Sequence, residues 1–299
     1  MKNRAAEGAH LGNLGLAYAA LGETRRAIEY HQQGLTVLRE IGDRRGEGNV
    51  LGNLGIACRQ LGEPRRATEL HERSLVIARE IGDRRGEGTA LGNLGSAYAD
   101  LGETRRAIEL YEKQLVITRE IGDRRGEGAV LGNLGLAYWA LGETRRAIEH
   151  YEQALTILHG LGDRRAEGSV LGNLGIAYSQ LGDLRRPIEL YEKRLAIARE
   201  IGDRRGEGNA LGNLGIAYSQ LGDLRRPIEL YEKRLAIARE IGDRRGEGNA
   251  LFNMSLALDK LGERAQAIAH AQAALKIHVE IEDPNACQVR KKLAEWGRV

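Results

Sequence analysis

The sequence has few of the residues that stabilise small extracellular proteins or anchor a chain in a membrane. Only two cysteines occur, Cys58 and Cys287, and they lie too far apart to form a disulfide framework. Free thiols are typical of a reducing compartment. The chain also lacks an apolar run of about 18 residues, and its first ten residues contain no apolar signal core. We therefore expect a cytoplasmic protein that does not act on membranes.

An excess of charge of either sign is missing as well. The chain has 45 basic and 42 acidic residues, which leave a formal net charge of +3. Proteins that bind nucleic acid usually show a clear basic excess, so nucleic acid is not the expected partner.

Catalytic and metal-binding patterns are also lacking. The seven histidines show no metal-ligand spacing with cysteine or carboxylate residues, and no nucleophile has a base in register with it. The recurring GNLG has neither a strand before it nor Lys-Ser/Thr after it, so it is not a phosphate-binding loop. We expect no enzymatic activity, cofactor or metal.

What the chain does have is one motif repeated with small changes. LGNLG begins at residue 11 and recurs every 40 residues through 211, and a degenerate form, LFNMS, begins at 251. Residues 171–210 and 211–250 are identical. A fixed period of this length is typical of a stacked array, in which each unit contacts its neighbours.

One repeat, residues 43–82, predicts two helices joined by tight turns. Asp43 after Gly42 combines a helix stop with a helix cap, and Gly62 ends the first helix. Glu63 is the expected cap of the second helix, with Pro64 at its first position. Apolar residues recur at spacings of three and four in both helices: Val50, Leu51, Leu54, Ala57, Cys58 and Leu61, then Ala67, Leu70, Leu75, Ile77, Ala78 and Ile81.

Several glycines lie inside the first helix, where each costs about 0.5–1 kcal/mol relative to alanine. Gly55 is expected to allow the second helix to approach closely, whereas Gly46 and Gly48 are expected to fray. Pro187 and Pro227 stand about four residues into their second helices, where we expect a loosened first turn. The sequence thus predicts an all-α fold, a right-handed superhelical α-solenoid of antiparallel helix pairs.

The array divides into three parts. Residues 1–10 form the start of the first helix, residues 11–282 contain seven repeats, and residues 283–299 form a capping helix with Val289, Leu293 and Trp296 on its inner face. Terminal repeats need such a cap. The N-terminal end has no equivalent, so self-association through it is one expectation.

At these positions the chain resembles the tetratricopeptide repeat (TPR) family. The residues that carry the resemblance are Leu14, Gly15, Tyr18, Ala27 and Ala154, together with Tyr111, Tyr151, Tyr191 and Tyr231. With NLG in the first helix and GDRxGEG between repeats, the 40-residue unit is similar to the long repeats of Pins-type polarity adaptors, kinesin light chains and bacterial TPR signalling proteins. The resemblance covers Ala9 to about Asp283. It implies that the first helix of each pair lines a concave groove.

Seven asparagines recur at one position of the first helix, in the stripe expected to face this groove. They are Asn13, Asn53, Asn93, Asn133, Asn173, Asn213 and Asn253. An amide both donates and accepts hydrogen bonds, so such a ladder is able to hold the main chain of a peptide. In the families resembled, groove asparagines do serve ligands. The alternative is that each asparagine bonds the next repeat and stabilises the solenoid.

Positions that vary between repeats are expected to determine specificity. The three sets are Leu16, Ile56, Ser96, Leu136, Ile176, Ile216 and Leu256; Ala19, Arg59, Ala99, Trp139, Ser179, Ser219 and Asp259; and Ala20, Gln60, Asp100, Ala140, Gln180, Gln220 and Lys260. Trp139 is the best candidate for an anchor, although a tryptophan that merely fills the groove wall fits the pattern almost as well. Polarity adaptors often have a second asparagine at the first of these positions, so this groove is more apolar than theirs.

The arginines allow two interpretations. Arg45 and its equivalents, including Arg85, Arg125, Arg165 and Arg205, extend the groove stripe and are able to bind ligand carboxylates bidentately. The alternative is a solvated face with many i,i+4 ion pairs, each worth a few tenths of a kcal/mol. The second interpretation is favoured for Arg25 and Arg26, and both stay open for the Arg45 series.

The sequence therefore predicts a protein–protein interaction scaffold that binds a peptide or partner helix in its groove. Acidic residues in that ligand would complement the arginines. The scaffold is expected to be the sensor or adaptor part of a larger signalling protein. The alternative function is a nucleic-acid-binding or self-assembling solenoid.

Overall fold

The computed structural model describes residues 2–297, and this part of the chain consists of fifteen α-helices joined by short turns. The helices are α1 (Lys2–Ala20), α2 (Thr24–Glu40), α3 (Arg44–Gln60), α4 (Pro64–Glu80), α5 (Arg84–Asp100), α6 (Thr104–Glu120), α7 (Arg124–Ala140), α8 (Thr144–Gly160), α9 (Arg164–Gln180), α10 (Arg186–Glu200), α11 (Arg204–Gln220), α12 (Arg226–Glu240), α13 (Arg244–Lys260), α14 (Arg264–Glu280) and α15 (Asn285–Glu295). The described residues contain no β-strand. The all-α fold is therefore confirmed.

The chain forms two compact units, unit 1 (Met1–Ile157) and unit 2 (Leu158–Val299). In unit 1, α1 packs on α2, α3 on α4 and α5 on α6, and each pair packs on the next first helix. In unit 2 the pairs are α9 with α10, α11 with α12, and α13 with α14, and α15 packs on α14. Each unit is thus a stack of helix pairs, which is the arrangement of an α-solenoid. The division of the sequence at residues 10 and 282 stays a prediction.

The turn from a second helix to the next first helix is fixed by glycine and aspartate. Gly42 has a φ of +73°, which only glycine adopts without strain. The Asp43 N–H then donates to the Leu38 carbonyl at 2.9 Å, as in a Schellman motif. The Asp43 carboxylate accepts from the Gly46 N–H at 2.9 Å. The start of α3 is therefore capped, and the expectation that Gly46 frays there was wrong.

The turns into the second helices differ from expectation. Glu63 is the N-cap residue of α4, as expected, but its side chain makes no capping hydrogen bond and pairs with Arg66 at 3.0 Å instead. In unit 2, α10 begins at Arg186, so Pro187 is its second residue rather than its fourth. Asp183 caps this later start by accepting from two backbone N–H groups at 3.0 Å. Because proline has no N–H to donate, the first turn tolerates it.

The core of each pair is closed by a glycine in the first helix that faces a ring in the second. A Cβ at Gly55 would collide with the His71 ring, and a Cβ at Gly95 would lie 2.7 Å from the Tyr111 ring. The ring is tyrosine in four pairs and histidine in two, and all six rings are buried. The close approach expected at Gly55 is therefore present, since an added Cβ would force the helices apart.

A lattice of ion pairs joins successive repeats. Glu47 is 6% exposed and accepts from Arg39 at 2.8 Å and from Arg44 at 2.6 Å, and Arg44 also pairs with Glu80 of the next second helix. Burial raises the pKa of Glu47, but the hydrogen bonds from the two arginines outweigh it and hold this pKa below its ordinary value. Equivalent pairs involve Arg84 with Glu87 and Glu120, and Arg204 with Glu207 and Glu240. These arginines are therefore structural.

Candidate protein-binding surface

The seven asparagines lie on the first helix of every pair, in the middle of that helix. Asn13 is exposed, and the other six are half-buried. In unit 1, Asn13, Asn53 and Asn93 line one recess, and Asn93 also lines a second recess with Asn133. In unit 2, α11 packs against both α9 and α13, which carry the asparagines of the neighbouring repeats. We call this side of the first helices the amide face.

Within residues 2–297, none of the seven asparagine side chains forms a hydrogen bond with another residue. A hydrogen bond between two asparagine side chains does occur at a different position of the repeat, where Asn285 donates to Asn249 at 3.3 Å. The reading in which each ladder asparagine bonds the next repeat therefore has no support in these contacts. The amides stay available to a ligand or to solvent.

Large apolar side chains lie one helical turn after the asparagines. Leu16, Ile56, Leu136, Ile176 and Ile216 are between 38% and 49% exposed. A position on a solvated face is usually polar, so these recurring aliphatic side chains make the amide face of each unit a candidate binding surface. The greater apolar character predicted for the first variable set is thus present on the amide face.

The other variable positions divide between structural and exposed residues. Arg59 donates to Asp100 at 2.7 Å across one repeat boundary, and Asp259 accepts from the Trp296 indole at 3.1 Å. These residues stabilise neighbouring helices. Trp139 lies in the last turn of α7 and is 40% exposed, next to the exposed Leu136. It does not line either recess of unit 1.

The larger recess of unit 1 has the volume of a ligand pocket, about 600 Å³. Leu16, Ile56 and Ile77 form apolar parts of its wall, and Asn53 and Arg85 contribute polar groups. Ser74, on the second helix, lies opposite Gly52 and leaves the space between the helices open. The smaller recess, of about 240 Å³, is lined by Arg85, Asn93 and Gln114, among others.

The two arginines at the start of each first helix have different surroundings. Arg44 belongs to the ion-pair lattice, whereas Arg45 only approaches Asp83 at 3.9 Å and is largely exposed. Three arginines equivalent to Arg45 form no ion pair among residues 2–297, namely Arg85, Arg165 and Arg205. Arg125, in contrast, does have an interaction partner. Arg85 lines both recesses of unit 1, and Arg165 and Arg205 line small recesses in unit 2.

Sequence reasoning missed two further arginines on the second helices of unit 2. Arg194 and Arg234 point at Gly172 and Gly212, where an added Cβ would collide with their guanidinium groups. They occupy the space that is open at Ser74. The signal was present in the sequence, because a second-helix position with Gly34, Ser74 and Ala154 becomes arginine only in the identical repeats.

Arg26, by contrast, has local partners. It pairs with Glu23 at 2.7 Å and lies 5.5 Å from the centre of the Tyr18 ring. Each of these contacts contributes little at an exposed site. The favoured interpretation of Arg26 as part of a solvated face therefore agrees with its contacts.

Buried histidines replace tyrosine in the first two pairs. His71 is fully buried, and neither ring nitrogen has a hydrogen-bond partner in the described structure. Burial, with a smaller contribution from the Arg59 charge, lowers the pKa of His71 to about 4. His31 is also buried, and burial lowers its pKa. Both histidines are therefore neutral parts of the core near pH 7.

Two other kinds of site have no candidate in the described part of the chain. No group of three or more His, Cys, Asp or Glu side chains there is placed to hold a metal ion. None of the helices there is both long and apolar enough to cross a membrane. Cys58 is buried and Cys287 is exposed, and both are free thiols.

The repeat geometry agrees with a family comparison. The tetratricopeptide repeat model matches residues 5–80, 86–159, 167–240 and 208–278, so the chain belongs to the TPR family. No curated protein sequence matches it.

Solved structures have the same fold. A Signal Transduction ATPase with Numerous Domains (STAND) protein with a TPR sensor, from Pyrococcus horikoshii, aligns over 95% of this chain and 43% of its own, with 19% identity and a TM-score of 0.79. A putative kinesin light chain from Podosopora anserina with nearly identical TPR-like repeats aligns over 67% and 99%, with 22% identity and a TM-score of 0.56. A Rap protein complexed with Competence and Sporulation Factor aligns over 97% and 76%, with 15% identity and a TM-score of 0.65. At these identities the similarity shows the fold alone, and it confirms the solenoid predicted from the repeats.

Proposed function

We propose that this protein is a binding scaffold, without catalytic activity of its own, that holds a segment of a partner protein along its amide face. The observation that carries the proposal is the asparagine ladder, whose side chains have no hydrogen-bond partner within residues 2–297. Asparagine forms helices poorly compared with alanine. Its recurrence without an internal partner is therefore better explained by a ligand than by helix stability.

The chemistry of the face fits a peptide segment. Amide side chains both donate to and accept from a peptide main chain, independent of its sequence. In each unit the exposed aliphatic side chains, Leu16, Ile56 and Leu136 in unit 1 and Ile176 and Ile216 in unit 2, would bury apolar side chains of the ligand, and this burial contributes roughly 25 cal/mol per Å² of apolar surface. The amides would thus hold any extended or helical segment, and the aliphatic side chains and recesses would select among side chains.

The comparisons support a role within a signalling protein. The STAND structure contains a TPR sensor, and the Rap structure contains a bound factor. This chain spans 43% of the length of the STAND chain, which fits a sensor or adaptor part of a larger protein. The free thiols of Cys58 and Cys287 fit a cytoplasmic location.

The test is a peptide-display selection followed by substitution of three ladder residues in unit 1. We expect Asn53→Ala, Asn93→Ala and Asn133→Ala together to weaken binding of the selected peptides at least about tenfold, because each lost hydrogen bond is worth about 0.5–1.5 kcal/mol. Isothermal titration calorimetry measures this change. Helix content should not fall, because alanine is the better helix former.

The matched control removes three exposed side chains from the second helices of the same unit, Gln33, Arg73 and Lys113. Changed to alanine, these positions should leave affinity within about twofold. The proposal fails if no peptide is enriched, or if the asparagine variant binds as tightly as the control. Enrichment of nucleic acid instead, with binding that weakens steeply with salt, would support the alternative function.

A further inference from the structure

One position of the second helix changes its chemistry along the array. In the first six repeats it stands opposite a first-helix glycine, which Phe252 replaces in the last, and it is occupied by Gly34, Ser74, Gln114, Ala154, Arg194, Arg234 and Ala274. The two arginines belong to the identical segments 171–210 and 211–250. A Cβ at Gly172 or Gly212 would collide with the guanidinium Nη1 of Arg194 or Arg234, so each side chain crosses from the second helix to the first.

Each arginine enters a recess that corresponds to the open one in unit 1. Arg194 lines this space with Arg165, Ser169 and Asp203, and only about 20 Å³ stays open to water-sized molecules. Arg234 does the same with Arg205, Asn209 and Asp243, where about 10 Å³ stays open. The corresponding space at Ser74 belongs to the recess of about 600 Å³. In unit 2 a guanidinium group therefore occupies most of the recess, and an exposed arginine, Arg165 or Arg205, lies at its opening.

The charges in these recesses are not neutralised. Within residues 2–297, neither Arg194 nor Arg165 forms an ion pair, whereas the adjacent Arg164 pairs with both Glu167 and Glu200. Asp203 attracts Arg194 without reaching ion-pair distance, and its carboxylate already caps Gly206 at 2.9 Å. Two arginines thus face one carboxylate, which leaves one net positive charge in the recess.

The second recess repeats this arrangement. Arg205 and Arg234 form no ion pair in the described part of the chain. The carboxylate of Asp243 attracts Arg234 electrostatically. Burial lowers the pKa of Arg194 and of Arg234 from the ordinary value of arginine. A partly desolvated guanidinium without a carboxylate is costly, and a bound anion would relieve this cost.

We propose that the two arginine pairs at the openings of these recesses, Arg165 with Arg194 and Arg205 with Arg234, are twin anion sites that bind two carboxylates of an acidic segment in the partner protein. This inference rests on the proposed function and specifies the ligand of unit 2. Arginine binds carboxylates through paired N–H groups. An acidic segment fits better than a nucleic acid, because each cationic pair stands among Glu200, Glu240 and the capping aspartates rather than in a continuous basic stripe.

The experiment uses fluorescein-labelled decaglutamate and fluorescence anisotropy at low salt. The variant Arg194→Gln with Arg234→Gln removes both charges and keeps long side chains. The chain already contains glutamine at the equivalent position, Gln114, which faces Gly92. The control, Arg185→Gln with Arg225→Gln, removes the same number of charges from exposed positions of unit 2. Circular dichroism and thermal melting check that all variants fold alike.

We expect the Arg194/Arg234 variant to weaken decaglutamate at least about tenfold, and the control to weaken it less than about threefold. The single variants Arg194→Gln and Arg234→Gln should cause similar losses, because each recess contains two arginines and one aspartate. Ser74→Arg should strengthen binding, since it places an arginine opposite Gly52 with Arg45 and Asp83 beside it, as at Arg194.

The inference is overturned if decaglutamate does not bind, if both double variants lose affinity equally, or if labelled oligothymidylate binds more tightly and depends on the same arginines. Such results would not affect the asparagine test, which uses selected peptides and residues of unit 1. Conversely, arginine-dependent binding of decaglutamate together with a failed peptide selection would retain the anion sites and refute peptide capture by the ladder.

Discussion

Acid should destabilise the unit that contains His71, and a tyrosine at this position should remove that effect. His71 is fully buried without a hydrogen-bond partner in the described structure, and its pKa is lowered to about 4. In the unfolded chain a histidine has a pKa of about 6.5. The unfolded state therefore binds a proton more readily, and stability falls as the pH decreases from about 6.5 toward about 4.

The magnitude follows from the two pKa values. Each pH unit between them costs about 1.4 kcal/mol, so lowering the pH from 7.5 to 5 should cost about 2 kcal/mol through His71 alone. The substitution His71→Tyr fits the site, because Tyr151 and Tyr191 occupy the equivalent position against Gly135 and Gly175. The free energy of unfolding of the variant should fall by about 2 kcal/mol less than that of the wild type over this pH range.

Urea unfolding monitored by circular dichroism at pH 7.5, 6 and 5 measures the difference. Protonation of Glu47 and the other buried glutamates affects both proteins alike, so it cancels from the comparison. His10→Gln, at an exposed position, serves as the control and should retain the pH dependence of the wild type. If the difference in stability between wild type and His71→Tyr is the same at pH 7.5 and 5, the reasoning is refuted.

Two further predictions concern the helix pairs themselves. Gly135→Ala should destabilise the protein by about 1–3 kcal/mol, since its Cβ would collide with the Tyr151 ring. Gly160→Ala, with open space around it, should stabilise the protein by up to about 1 kcal/mol. Thermal melting compares the two variants, and equal shifts in melting temperature would contradict the packing argument. Asp123→Ala should cost about 1 kcal/mol, because the carboxylate caps the Gly126 N–H at 2.9 Å. Asp123→Asn should restore most of this loss in the same assay, and an unrestored loss would argue against capping.

Much of the fold could be predicted from the sequence because its signals are local and repeated. The glycine and aspartate at each turn fix where helices end and begin, and seven copies of LGNLG or its variant fix the period. The close approach at Gly55 also followed from the sequence, because only glycine permits it. The N-cap position of Glu63 was also predicted, but not that its side chain pairs with the cation of Arg66 rather than with the backbone.

The candidate site was less accessible to sequence reasoning. The amide face followed from helical periodicity, but the absence of partners for its asparagines required the contacts of all neighbouring helices. Arg44 and Arg45 are adjacent in the sequence, yet only the first reaches Glu80, at the end of the second helix of the same pair. Arg194 was missed for a similar reason: its long side chain acts beside Gly172, on a different helix from its own backbone.

The ion-pair lattice also affects which changes in the number of repeats this protein can tolerate. The contact of Arg204 with Glu240 spans 36 residues, as does that of Arg164 with Glu200, so the junction on either side of the identical block is chemically the same. Unequal recombination between coding sequences for residues 171–210 and 211–250 would delete or add one whole repeat in frame. The shortened or lengthened product would contain only repeat junctions that are already present in this protein. The number of recesses with an arginine pair would change by one, and so would the number of ligand carboxylates that the protein can bind.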